Sequence, residues 1–425
     1  MRRHSFFLAS VLAVQAISPV YAASPIASEP LRLASVLAQA RQRNPALLAS
    51  KKRWESSRAR IPQATGLPAP KIGVEFEEIP RGTVKVNQAT VMYQLIQMIP
   101  FPGKLSLKHQ IAVKEAQIAG VAYQQEEWDV ASHVKTTYYD LFLVDRELEI
   151  QQEQALWLRQ ASTTAQARYA TGAASKSDVL MAQQDTLAAE NQLAVLQSRR
   201  ASLAAHLNHL INQPPSAPVG LPAPLALMPL TVTPDELIAM ARERQPELLA
   251  FKYTAERAES AWKLSKRELL PDLETMVELR DPAMGPIGPW DLSLAVVLPF
   301  WFWTKLQYGV KVALRDKESA VAAYQAMGNE IGQRIYEHWH EAYAASRTAA
   351  LSRDGLIPLS QQAVASAMAA YQSQRGSFAD VLAALRALGE RRREYAQELV
   401  SFEQHVVMLE QASGVDLRGE GGTSQ

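Results

Sequence analysis

The chain has 425 residues, 48% of them apolar, enough for a large core, and its composition, rich in alanine and glutamine with modest glycine, favours long helices. A formal net charge of +1, with no basic run bearing interleaved aromatics, excludes an electrostatic case for nucleic acid. Cysteine is absent, so an exported form must be held by packing rather than disulfides, and no cysteine is present to carry a lipid at a mature N-terminus.

Residues 1–22 read as a secretory signal. Arg2 and Arg3 supply the positive start, Phe6, Phe7, Leu8 and their neighbours to Val14 the short apolar core, and Val20-Tyr21-Ala22 a small-residue cleavage site before Ala23. The apolar run is well short of the ~20 residues that span a bilayer. After Ala23 no segment of eighteen or more apolar residues occurs, so the exported chain is expected to be soluble, secreted or inserted as β-strands.

Residues 23–212 form a first unit. An amphipathic helix is expected at about residues 35–64, and strands at about 71–79 and 89–99. Long helices follow over about 103–211. The proline-free stretch from Gly103 to about Arg168 would span roughly 95 Å as one helix at ~1.5 Å per residue. Leu196, Leu203 and Leu210 recur every seven residues, with Leu193 just before the first and Leu207 between the last two, a coiled-coil stripe. A turn falls at Tyr169-Ala170-Thr171-Gly172-Ala173-Ala174-Ser175-Lys176-Ser177-Asp178, where Gly172 can end one helix and Ser175 or Ser177 can cap the next.

A proline-rich connector occupies residues 213–233. A second unit, 234–415, restarts with the capping box Thr233-Pro234-Asp235-Glu236 and a helix to about 268. Strands are expected at about 272–279 and 291–298, where Leu273, Thr275, Val277 and Leu279 alternate with Asp272, Glu274, Met276 and Glu278. Leu292, Leu294, Val296 and Leu298 alternate in the same way with Asp291, Ser293, Ala295 and Val297. Long helices are expected over about 304–414, and a disordered tail at 416–425.

The second unit repeats the first. Arg41-Gln42-Arg43-Asn44-Pro45-Ala46-Leu47-Leu48-Ala49 returns as Arg242-Glu243-Arg244-Gln245-Pro246-Glu247-Leu248-Leu249-Ala250, with six of nine positions identical at an offset of 201. Pro70 corresponds to Pro271, and Ile99-Pro100-Phe101 to Leu298-Pro299-Phe300. Tyr169 and Asp178-Val179-Leu180 correspond to Tyr371 and Asp380-Val381-Leu382 at an offset of 202.

The strand lengths suit tilted membrane strands, and Trp290 at one end with Trp301 and Trp303 at the other sit where an interfacial aromatic belt would lie. An ordinary hairpin with those aromatics as core is the competing reading. Four strands cannot close a barrel and open edges cannot face lipid, so membrane insertion would require several chains to pool their strands.

The duplication, the motif Arg168-Tyr169-x-x-Gly172-x-x-Ser175-x-x-Asp178-Val179-Leu180, its counterpart at 371–382, and Gln97-Met98-Ile99-Pro100-Phe101-Pro102-Gly103-Lys104 together resemble the outer-membrane efflux proteins of the TolC family. The Pro-Phe-Pro-Gly-Lys form is similar to the branch serving heavy-metal RND pumps, the CzcC and CusC type. The resemblance implies a mainly α fold with a small membrane β-barrel: a homotrimer with a 12-stranded barrel in outer-membrane lipid of a Gram-negative bacterium and a 12-helix coiled-coil tunnel in the periplasm. It also implies docking of the helix-turn tips, with Gly172, Ser175, Gly376 and Ser377, onto a periplasmic adaptor (membrane fusion protein) and an inner-membrane RND pump. By the same resemblance Asp380 belongs to the constriction at the periplasmic mouth, and Asp178 and Tyr371 to contacts that hold the tips closed. Two positions depart from the family pattern: Ala383 stands where some members carry a second aspartate, and Gln374 where glycine is common, with Gly376 displaced by two.

Glu337-His338-Trp339-His340-Glu341 resembles metal ligands, but only His338 and Glu341 share a helix face and no His-Glu-x-x-His signature is present, so a solvated or packed face is expected rather than a metal site. Scattered methionines such as Met276 and Met284 read as core filling. No phosphate loop or nucleophile elbow points to an enzyme, and no cofactor is expected. A soluble periplasmic coiled-coil adaptor or scaffold, and an outer-membrane conduit for type I protein secretion, are the alternatives.

Overall fold

The computed structural model describes residues 30–77, 90–172, 175–280, 290–300, 302–373 and 375–418. The expected signal segment, Ala173, Ala174, Met284, Trp301, Gln374 and residues 419–425 of the expected tail lie outside them. Among the described residues the chain is mainly helical with one small sheet. Among the described residues no helix is long and apolar enough to cross a membrane.

Each unit opens with two helices, not the single one expected. These are α1 (Leu33–Arg43) and α2 (Pro45–Thr65), then α5 (Pro234–Arg244) and α6 (Pro246–Arg267). The break has a local cause. Pro45 and Pro246 lack an amide hydrogen and stand at the first helical position, while the preceding Asn44 and Gln245 are extended and cap the new helix. Asn44 Oδ1 accepts from Ala46 N at 2.8 Å, and Gln245 Oε1 from Leu248 N at 2.6 Å. Asn44 also donates to Leu210 O at 3.0 Å, which ties the helix break to the far end of the unit.

The strands are β1 (Lys71–Glu77), β2 (Thr90–Ile99), β3 (Asp272–Arg280) and β4 (Trp290–Val297), all antiparallel in the order β1-β2-β3-β4. The two units therefore join through the β2–β3 pair. Residues directly opposite share a face. Ile72 faces Leu95, Leu95 faces Val277 and Val277 faces Leu292, an unbroken apolar row across all four strands. Val74, Tyr93, Leu279 and Trp290 form the next row. The other face carries Gly73, Gln94, Glu278 and Asp291 in one row, where Gln94 donates to Glu278 at 2.8 Å and also to Glu75, and Arg280 pairs with Asp291 at 2.9 Å. Met276 lies on this polar face, not in a core.

Four long helical stretches run away from the sheet: α3 (Lys104–Ala170), α4 (Lys176–Leu210), the α7–α8 rod and α9 (Phe378–Ser413). With 67 residues α3 spans about 100 Å at ~1.5 Å per residue. The rod is α7 (Gln307–Leu351) and α8 (Ile357–Gln372), joined by a π-helical turn at Ser352–Leu356; a second π-helical turn, Phe302–Leu306, precedes α7. The wider turn leaves room for Pro358, whose ring would collide with the carbonyl of a regular α-helix four residues earlier. Narrow apolar seams hold the helices together. Leu196 packs with Val144 and Leu148, flanked by Leu193 and Leu203, and Ala155, Leu158, Ala189 and Leu382 meet farther along.

The larger cores lie at the waist. Val36, Ala40, Val134 and Leu207 fill one, and Leu237, Ile331, Ile335 and Phe402 the corresponding one in the second unit. The connector lies across α3: Tyr138 Oη donates to Leu31 O at 2.8 Å and accepts from Ala223 N at 2.9 Å.

Candidate functional site

The strand-to-helix junction is built from the Pro-Gly-Lys motif. Gly103 has φ +89°, and a Cβ there would collide with the guanidinium of Arg267, whose Nη1 donates to Pro102 O at 2.7 Å. Lys104, nearly buried, pairs with Asp272 at 2.7 Å and donates to Leu270 O at 2.9 Å; Asp272 also accepts from Phe101 N at 2.7 Å. Lys104 and Phe101 belong to the first unit, Arg267 and Asp272 to the second, so this cluster locks the two together at the base of the sheet. The motif was visible in the sequence; its partners were not.

Trp290 ends the apolar face of β4, with 60% of its surface exposed, and Trp303 lies beyond the opposite end of the strand, also exposed. Trp301 falls outside the described residues.

The far ends of the long helices form two tips with matched chemistry. At the first, Gly172 takes φ +73° and its N–H donates to Tyr169 O at 3.0 Å, closing α3. Ser175 then caps α4: its Oγ accepts from Asp178 N at 3.1 Å, and Asp178 Oδ2 accepts from Ser175 N at 3.1 Å. At the second tip, Arg375 N and Gly376 N both donate to Ala370 O, at 2.8 and 3.1 Å, and a Cβ on Gly376 would meet that of Ala370 at 3.1 Å. Ser377 and Asp380 repeat the reciprocal cap, and Ser377 Oγ also donates to Asp380 Oδ2 at 2.7 Å. These hydroxyl and backbone donors hold the Asp380 carboxyl below the usual carboxylate range, so it is charged at neutral pH.

The structure joins the tips. Arg168 sits over the Tyr371 ring at 4.4 Å, and Tyr371 packs against Phe378 at 5.8 Å. Higher up, Arg386 on α9 pairs with Asp185 on α4, and Arg392 with Glu153 on α3 at 2.5 Å.

His338 and Glu341 lie on one face of α7 and His340 on another, against Tyr336 and Trp339. His405 of α9 completes the first face: Glu341 Oε2 is 3.1 Å from Nδ1 of both His338 and His405. Nothing local in the sequence marks His405 as a neighbour of His338.

A family model described as outer membrane efflux protein matches residues 36–213. The cobalt-zinc-cadmium resistance protein CzcC of Cupriavidus metallidurans is 23% identical over 97% of this chain and 100% of its own length. The outer membrane protein VceC of Vibrio cholerae superposes with a TM-score of 0.77 at 17% identity, covering 91% of this chain and 96% of that one. The MtrE outer membrane channel of Neisseria gonorrhoeae, solved in its open state, gives 0.75 at 16% identity over 91% and 89%. A solved CusC structure gives 0.78 at 14% identity over 90% and 92%. Residues 36–213 thus match the outer membrane efflux protein family, and the chain as a whole, with its paired tips and four-stranded sheet, has the fold of these solved outer-membrane channels.

Proposed function

We propose that three copies of this chain assemble in the outer membrane, pooling four strands each into a twelve-stranded barrel and four long helical stretches each into a twelve-helix periplasmic tunnel. The observation that carries this is the sheet: its edges β1 and β4 pair with no further strand among the described residues, and one face carries unbroken apolar rows from edge to edge. Open edges and such a face are costly in water, and the edges are costly in lipid unless other copies close them. In this arrangement Leu292, Leu294 and Val296 face lipid, Asp291 and Ser293 face the lumen, and Trp290, Trp301 and Trp303 mark the interfaces. A soluble adaptor or scaffold has no use for that face.

The tips, with Gly172, Ser175, Gly376 and Ser377, dock on a periplasmic adaptor that links the channel to an inner-membrane RND pump. Asp380, repeated threefold, forms an anionic ring at the mouth, and Asp178 and Tyr371 stabilise its closed form. The cargo is a heavy-metal cation; the support is the full-length likeness to a cobalt-zinc-cadmium resistance protein and the Pro-Phe-Pro-Gly-Lys motif.

Mass measurement in mild detergent tests the assembly, with a trimer expected; a stable monomer that needs no detergent overturns it. For the cargo, a strain lacking the gene should become sensitive to cobalt, zinc or cadmium and regain resistance on complementation. Unchanged metal tolerance with loss of a secreted protein would instead favour the secretion conduit.

A further inference from the structure

We propose that His338, Glu341 and His405 form a binding site for a divalent transition-metal ion of borderline softness, such as Zn²⁺ or Co²⁺. Two adjacent helices supply the donors: His338 and Glu341, three residues apart, share one face of α7, and His405 projects from α9 onto that face. One donor atom from each lies within 4.8 Å of the others, and both imidazole Nδ1 atoms are 3.1 Å from Glu341 Oε2. A tetrahedral ion with bonds of about 2.0–2.1 Å needs donors roughly 3.4 Å apart. Two of the three separations are already close to that, and the third, between the imidazoles, is within 4.8 Å.

The chemistry of the set selects the ion. Two imidazoles and one carboxylate suit Zn²⁺, Co²⁺, Ni²⁺ or Cu²⁺ and leave a fourth position for water. With no thiolate available, Cd²⁺ and Cu(I) are disfavoured. Glu341 remains exposed, which provides a path of entry. The framework is held independently: Trp339 Nε1 donates to Val232 O at 2.9 Å, fixing α7 beside the cluster. In the absence of an ion Glu341 accepts from the two imidazoles, and that hydrogen-bonded triad is the competing state.

The site stands on this geometry and not on the cargo proposed above. A channel for another solute would still bind the ion, and a metal channel could lack the site, so the two readings fail separately.

The test uses the full-length protein in detergent, carrying a tag without histidine and stripped by chelator. Titration with Co²⁺ should give the visible d–d absorption of a low-coordinate site and saturate at one ion per chain; competition then yields the Zn²⁺ affinity. His405→Gln and His338→Gln should each weaken binding on the order of 100-fold, at the upper end of what loss of an outer-shell partner costs. His340→Gln should bind as the wild type does. His405→Cys should retain binding and add a sulfur-to-cobalt charge-transfer band, which a purely structural role for His405 would not produce. Wild-type protein that gives no such spectrum and no stoichiometric binding, or His405→Gln with wild-type affinity, overturns the proposal.

Discussion

Arg168, near the end of α3, rests its guanidinium 4.4 Å from the centre of the Tyr371 ring at the end of α8, so the tip of one repeat is held by the tip of the other. An exposed cation–π contact is worth about 0.5–1 kcal/mol, or roughly a two- to fivefold change in an opening equilibrium. Tyr371→Ala, and separately Arg168→Ala, should therefore raise the open fraction by about that factor in planar-bilayer recordings. Tyr371→Phe keeps the ring and should behave as wild type. Equal open fractions in all four proteins would place the closing force elsewhere.

Asp380 has two separable roles, a helix cap and a charge. Asp380→Asn preserves a side-chain acceptor for the Ser377 donors but removes the charge, so it should abolish block by multivalent cations while leaving assembly intact. Because Asp380 titrates below the usual carboxylate range, block should persist from neutral pH down to that range and fade only beneath it. The sign is that of a depressed carboxylate: the charged form and the cap it makes are present at higher pH and lost on acidification. In the proposed ring Ala383 supplies no second acidic layer, so block should also be weaker than in members that carry both. Block that survives in Asp380→Asn would leave this residue only its cap.

The sheet predicts opposite tolerance at neighbouring positions. Leu294 lies on the apolar face and Ser293 on the polar one. Arginine at Leu294 should cost about 2–4 kcal/mol if the residue sits near the bilayer midplane, and much less at Ser293. Trimer recovered from membranes is the readout, with Leu294→Arg strongly depleted and Ser293→Arg near wild type. Equal recovery of the two would contradict the orientation.

Lys135 of α3 pairs with Glu410 of α9 at 2.5 Å, and both are buried. Removing one partner of such a pair costs about 3–5 kcal/mol, whereas replacing both with apolar residues can be nearly neutral. Lys135→Met should thus melt well below wild type and Lys135→Met with Glu410→Met closer to it. Burial pushes the Glu410 carboxyl up to about 7, despite the opposing pull of Lys135. A carboxyl raised on folding stabilises at pH below its unfolded value and loses that contribution as pH rises to about 7. Glu410→Gln should flatten the stability profile between about pH 4.5 and 7; an unchanged slope there would assign it to other groups.

Local chemistry was legible in the sequence alone. The duplication, the alternation of Leu292, Leu294 and Val296 with Asp291 and Ser293, the capping box at Thr233 and a cap at Ser175 or Ser177 depend on residues a few positions apart, where strand period and capping geometry act directly. The helix breaks at Pro45 and Pro246 were equally local, with Asn44 and Gln245 placed to cap, yet the apolar pattern runs on through them and disguises two helices as one. Only the tertiary structure decided which distant groups meet: β2 beside β3, Lys104 with Asp272, Arg168 with Tyr371 and His405 with Glu341. The physical reason is phase. A residue's facing direction turns by about 100° per position along a helix. Which side chains of α7 and α9 share a seam is therefore set by how whole helices pack against one another, and no short stretch of sequence encodes that.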